Sequence, residues 1–464
     1  MSIFRKLSTI IALIVAVAMV VTVFAGCAQE VTPAEESAEE APAEEPAGEE
    51  PAEEPAGEPA EEEPASDLAG TQITVIFPKH EMDTVGIFEQ QTREFTELTG
   101  IEVELIQAEW DRVKDKVIPE MAASGSAYDV IELDNSWVTQ FVNADWVVPL
   151  NEYASEEWIS GLAEGAVGIF SVQDDLYGIP WNHDIRFFIY NRQMLDDAGI
   201  AEPPRTFDEM IEQSKTIMDA GLAEYGIAGF WSRGMHLSNA THGNVWAHGG
   251  NFFNEEGNPT FLEDPAVAEG LDYMYNILNV DEIADPASLT YVQEDSMNVF
   301  ISGRTAFFPQ AWPGLVSESN NPDSSAIVGQ VEVASWVLGK TEETQATMSL
   351  PEALAIPKTS QNKEAAWEYI KFITGKEKDK ERSLEIGSLP VWTESFGDEE
   401  LTEIYPYWSN LQDVLPYARA YPRIDWVGEW VNSVEIQVQS VLTDEKTTEQ
   451  ALEDLNAEIQ GNLQ

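Results

Sequence analysis

Tyr128-Asp129-Val130-Ile131-Glu132-Leu133 is the stretch that decides the fold, with Asp134-Asn135-Ser136-Trp137 directly behind it. The first six residues read as a strand, and the next four as a loop leaving its carboxyl end. The same kind of run stands upstream in Gln72-Ile73-Thr74-Val75-Ile76-Phe77, a β-branched segment ended by Pro78, and in the alternating Ile101-Glu102-Val103-Glu104-Leu105-Ile106. Between the first two strands, Val85, Phe88, Phe95 and Leu98 fall at near-helical spacing over residues 85–98, and Gly100 stops the helix. Val113, Val117 and Met121 mark a second helical stretch ahead of Ser124-Gly125-Ser126. The order β-α-β-α-β argues for an open α/β sheet. In such sheets ligands bind where loops leave the carboxyl ends of strands, which singles out residues 79–83, 109–111 and 134–137.

The wider composition narrows the function. A chain of 464 residues is long enough for two or three domains. Its 43% hydrophobic content exceeds that of a disordered chain and falls short of a multispan membrane protein. Acids outnumber bases 84 to 24, so the surface repels phosphate backbones and nucleic-acid binding is excluded as a role. One cysteine leaves no internal disulfide and no cysteine-rich metal site. The acid excess persists beyond the N-terminal region: residues 67–464 hold 22 bases and 69 acids. Adaptation to high salt and the general acidity of an exported protein both fit that excess.

Residues 1–27 carry Arg5 and Lys6, an apolar run from Leu7 to Phe24, and then Ala25-Gly26-Cys27. A basic start, an apolar middle and small residues form a secretory signal. Phe24-Ala25-Gly26-Cys27 resembles a bacterial lipoprotein lipobox, with Phe24 where Leu is usual, so Cys27 is the expected lipid anchor on the outer face of the membrane. An uncleaved anchor helix is the alternative. Residues 28–66 hold fifteen Glu and no Lys or Arg in repeats of Glu, Pro, Ala and Gly. With no apolar face to bury, residues 28–68 are expected to be a disordered, extended tether.

Several further segments share their order with a known family. Tyr177-Gly178-Ile179-Pro180, Ile189-Tyr190-Asn191, Ala198-Gly199-Ile200 and Pro203-Pro204-Arg205-Thr206-Phe207-Asp208-Glu209 come first. Phe300-Ile301-Ser302-Gly303-Arg304-Thr305-Ala306, Ala355-Ile356-Pro357-Lys358 and Lys363-Glu364-Ala365-Ala366-Trp367 follow. Over nearly all of residues 71–464 the chain resembles the extracellular solute-binding proteins of ABC importers, the sugar-binding family 1 type. The resemblance implies a two-lobe, type II periplasmic-binding-protein-like α/β fold, each lobe an open sheet, with ligand in the cleft between them. Carried over by position, lobe one is 71–183 plus 333–378, and lobe two is 184–332 plus 379–464. It also implies a monomeric receptor that delivers a carbohydrate to the transmembrane permease subunits and carries out no chemistry of its own.

A sugar needs a flat apolar platform for its C–H face and hydrogen-bonding groups for its hydroxyl rim. The sequence has 14 Trp, several beside polar residues. Trp312 matches the family's aromatic platform and Asp184 an acidic contact of the segment crossing between lobes. Trp181 and His183 alternate with Asn182 and Asp184, so the two pairs face opposite ways in an extended chain. Trp110, Asp134, Asn135, Trp137, Trp231, Trp426 and Trp430 complete the candidate contacts, with Lys79, His80 and Glu81 after the first strand. Trp367, in a helical pattern with Ala366, Tyr369 and Ile370, reads as packing, as do Trp146 and Trp158. His236, His242 and His248 are six apart, which is not a one-face helical spacing, and no metal site is expected. No phosphate loop, dinucleotide fingerprint or nucleophile elbow is present, and no cofactor is expected. Two other readings stay open: a receptor of the same fold for a polyamine or other cation, and an exported carbohydrate-active enzyme with paired carboxylates.

Overall fold

The computed structural model describes residues 67–80, 82–254 and 257–463. Cys27, Glu81 and most of the expected tether lie outside them. The elements that build the site are β1 (Gln72–Pro78), α1 (Ile87–Thr99), β2 (Glu102–Ala108), α2 (Trp110–Ala122), β3 (Val130–Asp134), α3 (Val138–Asn143), β4 (Ile179–Asn182) and β5 (Phe187–Asn191). After them come α4 (Phe207–Asp219), α5 (Met235–Ala247), β6 (Phe307–Ala311), α6 (Pro313–Ser319), β7 (Val331–Val333), β8 (Glu352–Ala355), α7 (Lys363–Ile373), α8 (Lys376–Ile386) and α9 (Val427–Leu442).

Two open sheets organise these elements into a two-lobe α/β fold. The first has the order β2-β1-β3-β8-β4. β1 runs parallel to β2 and β3, with Val75 opposite both Leu105 and Val130, whereas β8 is antiparallel to β3 and β4. The second has the order β6-β5-β7, antiparallel throughout. No closed barrel occurs among the described residues. Only residues 183–186 separate β4 in the first sheet from β5 in the second, so the chain crosses there in one short extended segment.

The three predicted strands form close to where their β-branched runs stand. The first helix also forms, ended by Gly100 at φ 72°, a left-handed conformation that glycine adopts without a Cβ penalty. Its buried face holds Phe88 and Phe95 as the spacing suggests, but not Val85 and Leu98. Ile87, Phe88, Gln91, Thr92 and Phe95 point inward, while Val85 precedes the helix and Leu98 lies on its outer side, 67% exposed. Gln91 is held inside because its amide donates to the carbonyl of Lys378 at 3.0 Å, which satisfies a polar group where an apolar one was expected.

The segment Thr206-Phe207-Asp208-Glu209 has a local physical reason. Thr206 caps α4 and Glu209 reaches back to the backbone of Thr206, a reciprocal capping box. The Arg205 guanidinium then lies 4.4 Å from the Trp336 ring centroid. Trp367 sits in α7 among Ala365, Ala366, Tyr369 and Ile370, all buried, as packing requires.

Candidate functional site: the cleft between the sheets

Residues of the first sheet and of the segments that open α5 and α6 line one cleft of about 510 Å³. That size is in the range of small-molecule sites. Its first wall grows from strand ends. Alternation along β3 puts Glu132 and Asp134 on the same face, and the antiparallel register of β8 sets Glu352 opposite Asp134 and Asn182. Asn182 donates to Glu352 at 2.8 Å. Beneath the wall, the Trp181 indole donates to Glu132 at 3.0 Å and packs 5.4 Å from Phe77 and 5.2 Å from Phe88 by ring centroids.

Burial dominates the acid–base chemistry of that wall. Glu132 is pushed well above the usual carboxylate range by desolvation, then by the neighbouring charges of Glu352 and Asp134. Asp134 rises to about 6 through burial, although Ser136 opposes the rise with a backbone N–H at 2.8 Å and a hydroxyl at 2.5 Å on Oδ1. Asn135 donates to the other Asp134 oxygen at 3.3 Å, and its own Oδ1 is buried without a hydrogen-bond partner.

The crossing segment brings His183, Asp184 and Arg186 to the cleft. Desolvation lowers His183 to about 4, so the ring is neutral, and its Nδ1 has no partner. Arg186 Nη2 pairs with Asp184 at 3.0 Å, and the guanidinium lies 5.5 Å from the Trp312 ring centroid. The expected alternation holds in part. Trp181 and His183 are the more deeply buried, while Asn182 and Asp184 make the polar contacts, yet all four line the cleft.

The second wall contains Trp312, Arg233, Gly234, Met235, His236, Asn239 and Gln293. Trp312 caps α6 and is braced by Phe230 and Phe308 at 6.3 and 5.9 Å between centroids. Burial, with the Arg186 charge adding to it, lowers His236 to about 4.

The structure therefore gathers Trp312, Asp184, Asp134, Asn135, Trp181, His183, Lys79 and His80 in one cleft. It places Trp137, Trp231, Trp426 and Trp430 elsewhere. Trp137 starts α3, is 2% exposed and stacks on Phe141 at 5.7 Å in the first core. Trp231 lines a separate, mainly apolar cavity of about 50 Å³ inside the second lobe. Trp430 in α9 is buried, and its indole donates to His242 Nε2 at 2.9 Å. Trp426 packs on Phe253 and Trp430. For these four, packing offers more contact area than a solvent-facing loop, so adjacency to a polar residue gave no information about facing. Trp110 opens α2.

Sequence reasoning missed Arg186, Arg233, His236 and Glu352. Arg186 had a signal, since it stands two residues beyond Asp184 in the crossing segment. Glu352 had none, because only the register of β8 brings it to Asp134. Among the described residues, no cluster of His, Cys, Asp and Glu suits a metal ion.

Comparisons with known proteins agree with this geometry. Residues 83–380 match the family described as bacterial extracellular solute-binding protein. A maltotriose-binding protein of Pyrococcus abyssi is 24% identical over 347 residues, covering 74% of this chain and 72% of its own length. An erythritol/L-threitol-binding protein of Mycolicibacterium smegmatis is 24% identical over 334 residues, 67% of this chain and 68% of its own. The structure of maltose-bound T. maritima MalE3 has a TM-score of 0.74 and 25% identity, covering 84% of this chain and 99% of that one.

Proposed function

This chain belongs to the bacterial extracellular solute-binding protein family, whose members work outside the cytoplasm, and we propose that it captures a carbohydrate or polyol in the cleft between its sheets. The observation that carries the reading is the lining itself. Trp312 supplies the aromatic surface, and Asp134, Asn135, Asn182, Asp184 and Glu352 crowd one cleft with hydrogen-bonding groups. A rim of hydroxyls, each both donor and acceptor, matches that density better than an apolar solute would. Relatives that bind maltotriose, erythritol or L-threitol, and maltose support the same class.

Solute touching both walls stabilises the closed arrangement of the lobes by its differential affinity for that state, and the closed form is what the permease subunits recognise. The lobes carried over by position, 71–183 with 333–378 and 184–332 with 379–464, shift at their returns, because Ala334, Leu338, Ala346 and Met348 pack in the second core and Ile386, Val391 and Trp392 in the first. Cys27 carries the lipid anchor, residues 28–68 form the tether, and the receptor acts as a monomer without catalysis.

A thermal-shift screen of the full chain against mono- and oligosaccharides, polyols and polyamines tests the reading. Ligand that binds only the folded state raises the midpoint. The expected result is a saturable rise with one carbohydrate or polyol class. A rise with polyamines alone, or release of free sugar from a glycoside, would overturn it.

A further inference from the structure

The two walls of the cleft differ in charge. From residues 78–184 and 350–389 the lining includes Glu109, Asp134, Asp184 and Glu352, together with one lysine, Lys79. From residues 185–348 it includes Arg186 and Arg233 and, among the described residues, no carboxylate. In a chain of 84 acids and 24 bases, a lining with two arginines and no acid runs against the composition, although Arg233 Nε already donates to Gln439 at 3.0 Å.

Backbone donors reinforce the arginines. α5 spans 13 residues and begins at this wall, with Gly234 as its N-cap. Gly234 has no side chain to cap the helix, its backbone N–H is met by the Glu435 carboxylate, which also faces Arg233, and φ 148° there is a conformation that side-chain-bearing residues rarely adopt. The first-turn N–H groups at Met235 and His236 lack intrahelical acceptors, and the helix dipole places partial positive charge there.

Arg186 is the independent sign that this wall awaits an acceptor. It is 7% exposed, its Nη2 is engaged by Asp184, and its Nη1 has no hydrogen-bond partner. It lines the same cleft as the helix start, and its charge reaches His236. Its guanidinium covers Trp312, Trp312 meets Phe230, and Phe230 meets the His236 ring at 5.5 Å. A buried donor left without an acceptor is costly, and a negatively charged acceptor answers it best.

We infer that the solute is an acidic sugar whose carboxylate seats on the second wall, between Arg186, Arg233 and the first turn of α5, while its hydroxyls meet the carboxylates of the first wall. The inference rests on the carbohydrate reading and deepens it. A carboxylate fits better than a phosphate, because Asp184 already neutralises part of Arg186 and a second negative charge would face Asp134 and Glu352. A polyamine is disfavoured by the same two arginines.

Calorimetric titration of the full chain at pH 7.5 tests this, pairing glucuronate with glucose, galacturonate with galactose, and digalacturonate with maltose. At least one acidic sugar is expected to bind about tenfold or more tightly than its neutral counterpart, the scale of a charge-assisted hydrogen bond. Arg186→Gln should abolish that preference. Arg233→Gln, at an exposed position, should cut it about threefold or more with an unchanged circular dichroism spectrum. Neutral sugars binding as tightly as acidic ones would overturn the inference and leave the carbohydrate reading standing, as would a preference that survives intact in Arg233→Gln. Failure of every sugar, or binding of spermidine alone, would overturn both.

Discussion

The two walls of the cleft solve the same problem with opposite chemistry. One is built from strand ends and offers carboxylates, with Asp134 raised to about 6 by burial. The other is built from a helix start and offers arginines and a histidine, His236, that burial lowers to about 4. Desolvation disfavours charge on either side, so it moves acids up and bases down. At pH 7 Asp134 is still mostly ionised and His236 is neutral, so the strand wall keeps its negative charge. What differs is the hydrogen-bonding sense: acceptors dominate the strand wall, donors the helix wall.

The comparison can be broken most forcefully at tryptophan. Trp430→Ala should cost about 3–5 kcal/mol of stability, since it empties the second core and strips the His242 Nε2 of its donor. Whatever remains folded should bind solute normally, as read by calorimetry on the folded fraction. Trp312→Ala should do the reverse, weakening binding by about tenfold to a hundredfold, with a smaller loss in unfolding midpoint.

Proton linkage sharpens the contrast between the walls. Asp134 has a folded pKa above its unfolded value, so the folded state holds more protons and stability falls as pH rises from about 4 through 6. Asp134→Asn should remove up to about 3 kcal/mol of that fall in denaturant titrations at stepped pH. His236 has a folded pKa below its unfolded value, so stability falls in the other direction, as pH drops from about 6.5 through 4. His236→Asn should remove about 1–2 kcal/mol of it, less than the shift alone implies because the ring is partly open to solvent. Curves of the same sign for the two variants would refute the opposition. The smallest effect is expected at Leu98→Ser, within about 0.5 kcal/mol, because the side chain faces water.

Leu98 also shows where sequence reading stops. The strands β1, β2 and β3 were legible because β-branched runs bounded by Pro and Gly carry local information. The inward face of α1 was legible only at Phe88 and Phe95, because Gln91 is buried through a hydrogen bond to α8, a partner far along the chain. The site divided in the same way. Asp134, Asn135 and Asp184 were legible as polar residues at a strand end and a crossing. Glu352 and His236 reach the cleft through β8 register and α5 placement, which no local pattern encodes. Trp137 and Trp430 were misread because a tryptophan beside a polar residue has two faces to choose from, and packing won at both.

The most direct test of the central claim, that one solute bridges both walls, is hydrogen exchange followed by mass spectrometry with the solute found in the screen at saturation. Protection is predicted in two separate stretches together: residues 134–137 and 180–186 on the strand side, and residues 233–239 and 312–316 on the helix side. Protection confined to one wall, or centred on the small cavity at Trp231, would contradict it.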